Sequence, residues 1–266
     1  MKIWTIDACA EKPFEGNPAA VCIVDEFPEP KLMQSIAAEM NISETAFVVP
    51  VSLSHFKIRW FTPQDEAPIC GHATLAAAHI LWEQKVTMSS SLTFESEAGD
   101  LMVSKNDSWI DLNFPIQSLE PCEKVPEDLI KALGVPLKTV CFGQLKFGGH
   151  YLVELSSEEE VKALKPNMQL IKEISCRAVT VTARASAPFD FVSRYFAPSV
   201  GLDEDPVCVS AHCRLAPFWE PLLHKKDFLA YTASKRGGLL KVSLRKDRVI
   251  ISGKAVTVLE GRLHIK

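Results

Sequence analysis

Two cysteines occupy matching places in the sequence, and their surroundings favour acid–base or anion-binding chemistry. Cys70 follows the segment Glu66-Ala67-Pro68-Ile69, and Cys208 follows Glu204-Asp205-Pro206-Val207. A helical pattern begins directly after each cysteine, so we expect both thiols at helix N-termini, where free N–H groups and the helix dipole favour anions. A single cysteine is more often a buried, inert thiol. The paired placement predicts two helix ends that face each other and bind a carboxylate or another small anion.

The two cysteines belong to a longer internal repeat. Arg59-Trp60-Phe61-Thr62-Pro63 precedes the first, and Arg194-Tyr195-Phe196-Ala197-Pro198 precedes the second, with a three-residue insertion in the second copy. In both copies, an aromatic strand carries an Arg, a Pro ends it, and a Glu-x-Pro-aliphatic-Cys loop leads into a helix. The chain therefore reads as two copies of one unit.

The hydrophobic pattern predicts the elements that must position these residues. Alternating segments predict short strands, at Ile3–Asp7, Ala20–Val24, Ala46–Val49, Phe56–Phe61, Leu92–Glu95, Leu101–Val103, Trp109–Leu112, Tyr151–Leu155, Ala178–Val181, Phe189–Phe196, Phe228–Tyr231, Leu240–Leu244 and Val249–Ile251. Helical patterns are fewer: Pro30–Met40, Ala73–Trp82, Glu127–Leu133, Glu158–Leu164 and Ala211–Leu223. Because strands outnumber helices and do not alternate with them one for one, we expect an α+β fold. Each half should wrap a mostly antiparallel sheet around a central helix.

The turn-rich stretch from Pro115 to Pro126 predicts the domain boundary. We expect an N-terminal domain at residues 1–117 and a C-terminal domain at residues 118–266, with the last strand able to return to the first domain.

Composition excludes several classes of function. The net charge of -4 comes from interspersed signs, so neither nucleic acid nor an anionic membrane is an expected partner. There is no signal-peptide pattern and no run of 18 apolar residues, and the eight scattered cysteines are typical of reduced thiols. These features predict a soluble cytoplasmic protein.

The motifs of common cofactor sites are also missing from the sequence. It has no Cys-x-x-Cys pair, no Gly-x-Gly-x-x-Gly run after a strand and no phosphate-loop lysine. We therefore expect no metal, flavin, nicotinamide or pyridoxal phosphate.

Several blocks resemble, in order along the chain, the signature segments of the PhzF-like (phenazine biosynthesis) family. They are Gly16-Asn17-Pro18-Ala19-Ala20-Val21, Ser43-Glu44-Thr45-Ala46-Phe47-Val48, Arg59-Trp60-Phe61-Thr62-Pro63, Cys70-Gly71-His72-Ala73-Thr74, Glu204-Asp205-Pro206-Val207 with Ser210-Ala211-His212, Arg236-Gly237-Gly238 and Val258-Leu259-Glu260-Gly261. The resemblance implies a diaminopimelate-epimerase-like fold of two pseudosymmetric domains, a cofactor-free site between them, and a homodimer.

The resemblance also implies roles for individual residues. The family's general acid/base matches Glu44, and its supporting polar residues match His72, Asp205 and Ser210; Asn17 and Gly71 lie in matching blocks. Related epimerases and racemases use two cysteines instead, at places similar to Cys70 and Cys208.

Taken alone, Glu44 would be read as a solvated surface charge or a turn residue. The resemblance changes this interpretation, because one carboxylate in a partly dry site can remove a carbon-bound proton and return it at another carbon. His72 can bind a substrate carboxylate or share a proton, or it can be a polar residue in the first turn of a helix. Asp205 can orient the substrate, or it can satisfy backbone donors in its own loop.

One position departs from the family pattern. Val209 stands where the family usually has glycine, and a β-branched residue neither tolerates positive φ nor lets a ligand approach the backbone closely. The sequence therefore leaves two points open: whether the second half forms the anion-binding turn, and whether the protein accepts the family's usual substrate.

Three hypotheses follow. The first is a proton-shifting isomerase that uses Glu44 on a small carboxylate-bearing metabolite. The second is a two-thiol epimerase or racemase that uses Cys70 and Cys208. The third is a non-enzymatic binding protein that keeps the fold, for which Val209 is the only direct support.

Overall fold

The computed structural model describes residues 1–265, and the chain divides into two compact units. One unit comprises Met1–Phe114 with the residues from Ile250 onward, and the other comprises Pro115–Val249. Strands and a few helices build both units, which confirms the predicted α+β class. None of the helices among the described residues is long and apolar enough to cross a membrane.

Strands are numbered in chain order: β1 (Lys2–Ala8), β2 (Asn17–Ile23), β3 (Glu44–Pro50), β4 (His55–Phe61), β5 (Glu66–Ala67), β6 (Ser91–Glu95), β7 (Leu101–Asn106), β8 (Trp109–Pro115), β9 (Glu120–Pro121), β10 (Thr139–Leu145), β11 (Gly148–Glu154), β12 (Ala178–Arg184), β13 (Phe191–Ala197), β14 (Leu202–Asp205), β15 (Asp227–Thr232), β16 (Gly238–Arg245), β17 (Arg248–Gly253) and β18 (Ala255–Arg262). The α-helices are α1 (Pro30–Met40), α2 (Gly71–Glu83), α3 (Glu127–Leu133), α4 (Glu158–Ala163), α5 (Met168–Glu173) and α6 (His212–Leu223). Two short 3-10 helices span Pro198–Val200 and Val209–Ala211.

The sheet of the first unit mixes antiparallel and parallel pairs. β1 pairs antiparallel with both β2 and β18, and β2 then pairs parallel with β3. β3 and β4 are antiparallel, β4 and β6 are parallel, and β6, β7 and β8 continue antiparallel. Each parallel step follows a helix, because a chain that leaves one strand must cross back before it can enter a parallel neighbour.

Helix α2 is the central helix of this unit. Ten of its thirteen residues are buried, from Gly71 to Ala78 together with Ile80 and Leu81. It contacts β1, β2, β3 and β18. A helix can be enclosed in this way only when it lacks a broad polar face, and the run of alanines supplies small apolar side chains on every side.

The second unit repeats the order of the first. β10 and β11 are antiparallel, β11 and β12 are parallel, and β12 and β13 are antiparallel. β13 pairs parallel with β15, which pairs antiparallel with β16. Helix α6 takes the place of α2 in this order, and the topology agrees with the repeat seen in the sequence.

Helix α6 is anchored by a buried tryptophan. The indole of Trp219 stacks on Phe191 with ring centroids 5.8 Å apart, and its Nε1 donates a hydrogen bond to Thr182 Oγ1 at 3.0 Å. An indole N–H that loses water on burial needs such a partner. The contact fixes the C-terminal half of α6 against β12 and β13.

The arginine and glutamate of the repeat form the same ion pair in each unit. Arg59 on β4 donates two hydrogen bonds to Glu66, at 2.7 and 2.6 Å, and Arg194 on β13 donates two to Glu204, at 2.7 and 2.9 Å. Such fork-to-fork pairs fix geometry as well as charge. Each pair joins a long strand to the short strand that leads into the cysteine.

Sequence patterns predicted α1 and α3 with the bounds that the structure has, but β10, β18, α5 and the short strands β5, β9 and β14 were missed. β18 has no fully buried residue, so it shows no buried alternating face, and it is a strand because it pairs with β1. β10 includes Gly143 and Gln144, which weaken a strand pattern. α5 has six residues, too few to show a helical period.

The two repeated ion pairs should differ in their effect on stability. The Arg194 and Glu204 side chains are 11% and 24% exposed, against 23% and 32% for Arg59 and Glu66. We expect Glu204→Gln to lower the free energy of unfolding by about 1.5–3 kcal/mol, because it leaves a largely buried guanidinium without its counter-charge. Glu66→Gln should cost about 1 kcal/mol or less. Urea unfolding of both variants measures the difference, and the reverse order would contradict this interpretation.

Candidate active site

A buried ion pair between Glu44 and His72 forms the centre of the candidate site. Glu44 is the first residue of β3 and His72 is the second residue of α2. Glu44 Oε2 lies 3.0 Å from His72 Nε2, and the two side chains are only 15% and 4% exposed. The local sequence around neither residue indicates this contact, which depends on β3 lying beside α2 in the packed unit.

Asn17 holds the other side of the His72 ring. It is the first residue of β2, fully buried, and its Nδ2 lies 3.1 Å from His72 Nδ1. Gly16 precedes it with φ of +66°, and a Cβ at that position would collide with the carbonyl oxygen of Ala8. Glycine is therefore required for the turn that places Asn17 beside the His72 imidazole.

Cys70 caps the same helix and lies beside the same ring. It is the N-cap residue of α2, as predicted, and its Sγ lies 3.5 Å from His72 Nδ1 and 4.0 Å from Nε2. Thr74 Oγ1 donates to the Cys70 carbonyl at 2.6 Å and so fixes the first turn. Gly71 separates Cys70 from His72 and is the first residue of the helix, so no side chain projects from the helix at that position.

The charges of this cluster depend on one another. Burial alone lowers the pKa of His72, but Cys70 and Glu44 outweigh burial and raise that pKa well above its usual value. Burial, and then the charge of Glu44, raise the pKa of the Cys70 thiol to about 11. A thiol with this pKa keeps its proton at neutral pH, so there Glu44 is the negative group that favours the protonated form of His72, and Cys70 adds to the effect only where it ionises.

Asn17 can serve either protonation state of His72. A neutral imidazole with its proton on Nε2 accepts a hydrogen bond at Nδ1 from the Asn17 amide nitrogen, whereas a protonated imidazole needs an acceptor there. Rotation of the amide by half a turn presents Oδ1 in place of Nδ2. The surroundings of His72 thus accommodate a change of charge without movement of the backbone.

The cluster also has the donor set of a soft metal site. One ligand atom each from Glu44, Cys70 and His72 lies within 4.8 Å of the others. Carboxylate, thiolate and imidazole together suit zinc. The metal-free site expected from the sequence stays a prediction.

A second cluster lies in the second unit, where Asp205 ends β14 and Cys208 caps the 3-10 helix Val209–Ala211. Asp205 Oδ1 accepts the Val207 N–H at 3.0 Å, and Cys208 Sγ lies 3.5 Å from Ser210 Oγ. Burial, and then the Asp205 carboxylate, raise the pKa of Cys208. Asp205 therefore satisfies a backbone donor in its own loop, and its role in orienting a substrate stays a prediction.

Val209 fits its position without backbone strain. It is not among the residues with positive φ, it begins the 3-10 helix, and its side chain is 2% exposed. The second copy thus replaces the direct Cys-Gly-His helix start of the first copy with a 3-10 turn. The sequence suggested that the two clusters face each other, and this stays a prediction.

Sequence reasoning missed one charged residue near the second cluster, Arg214 in the first turn of α6, which is 3% exposed. The available signal was a charged residue inside a helix whose neighbouring residues, from Cys213 to Trp219, are otherwise apolar.

The ion pair predicts a linked titration. We expect Glu44→Gln to lower the pKa of His72, because the variant removes the charge that stabilises the imidazolium. Because the pKa of His72 is higher in the folded than in the unfolded protein, protonation of His72 stabilises the fold. This stabilisation is complete below the unfolded-state pKa, about 6.5, and is lost as the pH rises through the folded-state pKa. In Glu44→Gln the stability that is lost over this pH range should be smaller. NMR titration of the imidazole, with unfolding measured across the same pH range, tests both effects.

The matched control is Glu95→Gln. Glu95 pairs with His55 at 3.2 Å on the exposed surface of the same unit. This variant should leave the titration of His72 unchanged, and an unchanged His72 pKa in Glu44→Gln would show that the buried pair does not control it.

Known proteins resemble this chain over its whole length. The family model for phenazine biosynthesis-like proteins (PhzC-PhzF) matches residues 6–261. A protein of Halalkalibacterium halodurans, named as an uncharacterized isomerase, is 45% identical over 263 residues, which cover 98% of this chain and 97% of that protein. The crystal structure of a PhzF-family protein from Enterococcus faecalis matches with a TM-score of 0.93 at 37% identity and covers 99% of both chains.

A more distant structure supports the fold. A probable proline racemase from Agrobacterium radiobacter matches with a TM-score of 0.69 at 11% identity, covering 100% of this chain and 93% of that one. At this identity the likeness concerns the fold alone, and it confirms the epimerase-like fold that the sequence blocks implied. Together, the match to the family model and the whole-length similarity to its members show that the chain belongs to the phenazine biosynthesis-like (PhzF) family.

Proposed function

We propose that this protein is a cofactor-independent isomerase that moves a carbon-bound proton in a small carboxylate-bearing metabolite, with Glu44 as the general acid and base. The observation that carries the proposal is the buried contact between Glu44 and His72. The relative from Halalkalibacterium halodurans and two relatives from Pseudomonas aeruginosa, at 43% and 45% identity, are named as isomerases, which supports the reaction class.

The geometry gives the two carboxylate oxygens of Glu44 different tasks. Oε2 is buried and lies 3.0 Å from His72 Nε2 in an ion pair, without the geometry of a hydrogen bond, so the exposure of this side chain comes from its other atoms. Oε1 is therefore the oxygen that can meet a substrate carbon. A base held at one oxygen and open at the other keeps its orientation while it exchanges a proton.

The proposed reaction balances within the substrate and Glu44. Glu44 takes a proton from one carbon, and the electron pair of the broken C–H bond moves into an adjacent unsaturated or carboxylate group. Glu44 then returns the proton to a second carbon, which forms a new C–H bond and restores the carboxylate. No electrons are gained or lost, so the step needs no redox partner.

His72 stabilises the charge that moves during this reaction. When Glu44 takes the proton, its negative charge passes to the substrate, and the imidazolium of His72 loses its counter-charge at that moment. A preorganised cation in a site with little water then stabilises the developing negative charge on the substrate. Its position at the N-terminus of α2 adds the partial positive charge of the helix end.

The two-cysteine mechanism is less favoured by the state of the thiols. A thiol pair needs one thiolate to act as the base. Burial and Glu44 raise the pKa of Cys70 to about 11, and burial raises the pKa of Cys208 as well. Both residues are almost fully buried, at 5% and 8% exposure. Neither sulfur has the accessible setting of a reactive cysteine, and although His72 and the helix N-terminus favour the Cys70 thiolate, burial and Glu44 outweigh them.

We further propose that the protein is a homodimer in a reducing, cytoplasmic compartment. All eight cysteines are free thiols, and reduced thiols are typical of cytosolic proteins. The dimer rests on the resemblance to the family. Light scattering on the purified protein measures its mass, and a monomer would contradict this part of the proposal.

The decisive variant is Glu44→Gln, which removes the titrating group and keeps the shape of the side chain. We expect turnover to fall by about 100-fold or more, the usual contribution of general acid–base catalysis, while folding and ligand binding persist. Substrates can be sought by incubating small unsaturated or amino carboxylic acids with the protein in heavy water. NMR then follows isomerisation and the entry of deuterium at the carbon that receives the proton.

Three controls separate the hypotheses. Glu95→Gln changes an exposed Glu–His pair and should leave turnover unchanged, and Cys208→Ala should have a mild effect. If Glu44→Gln keeps full activity while Cys70→Ala or Cys208→Ala abolishes it, the two-thiol mechanism is correct. If the wild-type protein exchanges no proton on any acid that it binds, the binding-protein hypothesis is favoured and the isomerase proposal is wrong.

A further inference from the structure

Glu44 and His72 are close enough for an ion pair but are not aligned for a hydrogen bond. Glu44 Oε2 lies 3.0 Å from His72 Nε2, yet this buried oxygen has no hydrogen-bond partner among the described residues. A buried carboxylate oxygen without such a partner is unusual and needs an explanation. Two polar atoms that lie this close without pointing at each other can both be directed at a third atom beside them.

Cys70 supplies a third donor atom at the same place. Its Sγ lies 4.0 Å from His72 Nε2, and one ligand atom each from Glu44, Cys70 and His72 lies within 4.8 Å of the others. Zinc bonds of about 2.0–2.1 Å to nitrogen and oxygen and about 2.3 Å to sulfur place neighbouring ligand atoms of a tetrahedral ion about 3.3–3.6 Å apart. The observed 3.0 and 4.0 Å lie on either side of this range, so the three side chains can close on one ion by rotation.

Asn17 fixes the imidazole ring from its other side. Its amide nitrogen lies 3.1 Å from His72 Nδ1, which leaves Nε2 as the nitrogen that faces Glu44. Histidines that bind a metal through one ring nitrogen usually donate a hydrogen bond from the other, and this partner sets the orientation of the ring. Rotation of the Asn17 amide presents Oδ1 as the acceptor. The protein therefore already has the residue that orients an imidazole ligand.

The donor atoms favour zinc over the common hard cations. Magnesium and calcium prefer sets of oxygen ligands, whereas thiolate and imidazole suit zinc. Cys70 is 5% exposed and the His72 side chain 4%, so these two ligands are enclosed. The Glu44 side chain is 15% exposed, which opens the cluster to solvent at the carboxylate. Three protein ligands and one open position are typical of a zinc ion that also binds water.

We propose that Glu44, Cys70 and His72 form an inhibitory zinc site, in which one Zn²⁺ ion binds Glu44 Oε2, Cys70 Sγ and His72 Nε2 and thereby blocks proton transfer. Binding releases the protons of Sγ and Nε2 to solvent, and no electrons are transferred. The inhibition rests on the proposed function, in which Glu44 is the base, but the binding of zinc does not. The ion is thus a regulator of a site that works without metal.

Bound zinc removes both groups that the proposed reaction needs. A carboxylate beside a divalent cation is a weaker base than a free one, because the cation stabilises its negative charge. An imidazole that coordinates through Nε2 has no proton on that atom and is no longer a cation. Zinc therefore takes away the base Glu44 and the positive charge of His72 at the same time.

Calorimetry on the full chain measures zinc binding apart from activity, with a phosphine reductant that keeps the thiols reduced. We expect one equivalent of zinc to bind and magnesium at the same concentration to give no signal. Cobalt(II) then replaces zinc as a coloured probe. A thiolate ligand gives cobalt a charge-transfer band in the near ultraviolet, and tetrahedral coordination gives intense visible bands.

Substitution of the ligands tests the assignment of the site. Loss of an outer partner of a metal ligand usually weakens metal affinity by about 10–100-fold, so loss of the soft ligand itself in Cys70→Ser should weaken zinc binding by about 100-fold or more. The cobalt charge-transfer band should disappear in this variant. Glu44→Gln should also weaken zinc binding but keep the band, since its thiolate remains.

Two variants are matched controls for adventitious binding. Cys208→Ala removes the capping cysteine of the second unit, and Glu95→Gln changes an exposed glutamate that pairs with His55 at 3.2 Å. Both should keep the zinc affinity and the cobalt spectrum of the wild-type protein. A zinc affinity that falls in either control as far as it falls in Cys70→Ser would place the ion elsewhere and overturn the inference.

The remaining outcomes separate the zinc site from the proposed function. Absence of one-to-one zinc binding, or zinc binding that Cys70→Ser leaves unchanged, would overturn the inference and leave the isomerase proposal standing. Zinc binding with the expected cobalt spectrum, in a protein that exchanges no proton on any acid, would support the metal site and remove the isomerase proposal.

The inhibitory role has its own measurement. In the active protein, saturating zinc should lower proton exchange by about tenfold or more, because the base is blocked, and a chelator should restore it. A purified protein that contains zinc and loses proton exchange on chelation would overturn the inhibitory role.

Discussion

The contact between Glu44 and His72 places two ionisable groups where little water can reach either of them. Such a pair survives only if each group neutralises the other and if the remaining hydrogen-bonding atoms have partners. Asn17 on β2 meets one nitrogen of the ring, Glu44 on β3 meets the other, and α2 carries the ring itself. The parallel pairing of β2 with β3 brings the first residues of both strands to one end of the sheet. The helix begins at that same end, so the site requires the whole unit to be folded.

The same scaffold occurs twice, but its two helix starts differ in chemistry. The strand, the arginine–glutamate pair and the capping cysteine are retained in both copies. The first copy places an imidazole at the second helical residue, where Glu44 can charge it. The second copy has Ser210 at the matching place and carries its cation at Arg214, deeper in the helix. The two copies thus share the parts that shape the helix end and differ in the side chains that the helix start carries.

Burial controls acid–base behaviour in both copies. It suppresses ionisation of Cys70 and Cys208, and it keeps His150 and His212 neutral. His72 is the exception, because Cys70 and Glu44 lie beside its ring and together outweigh the effect of burial on its pKa.

By itself, the sequence determined those features that depend on residues close together in the chain. The internal repeat, the α+β class, the bounds of α1 and α3, and the capping positions of Cys70 and Cys208 could all be predicted, because helical periods and turn residues act over a few positions. The resemblance in several blocks was also sufficient to identify the family and to single out Glu44 as a candidate.

Only the tertiary structure decided which of the candidates meet. Asn17 and His72 are 55 residues apart, and their contact depends on the packing of β2 against α2. β18 is a strand because it pairs with β1, although none of its own residues is fully buried. Arg214 looks like any arginine in the sequence, and only the packed helix shows that its charge is buried beside the neutral amide of Gln117. Strand pairing, burial and the pKa of a charged group all arise from neighbours distant in the chain, and a local pattern contains no information about them.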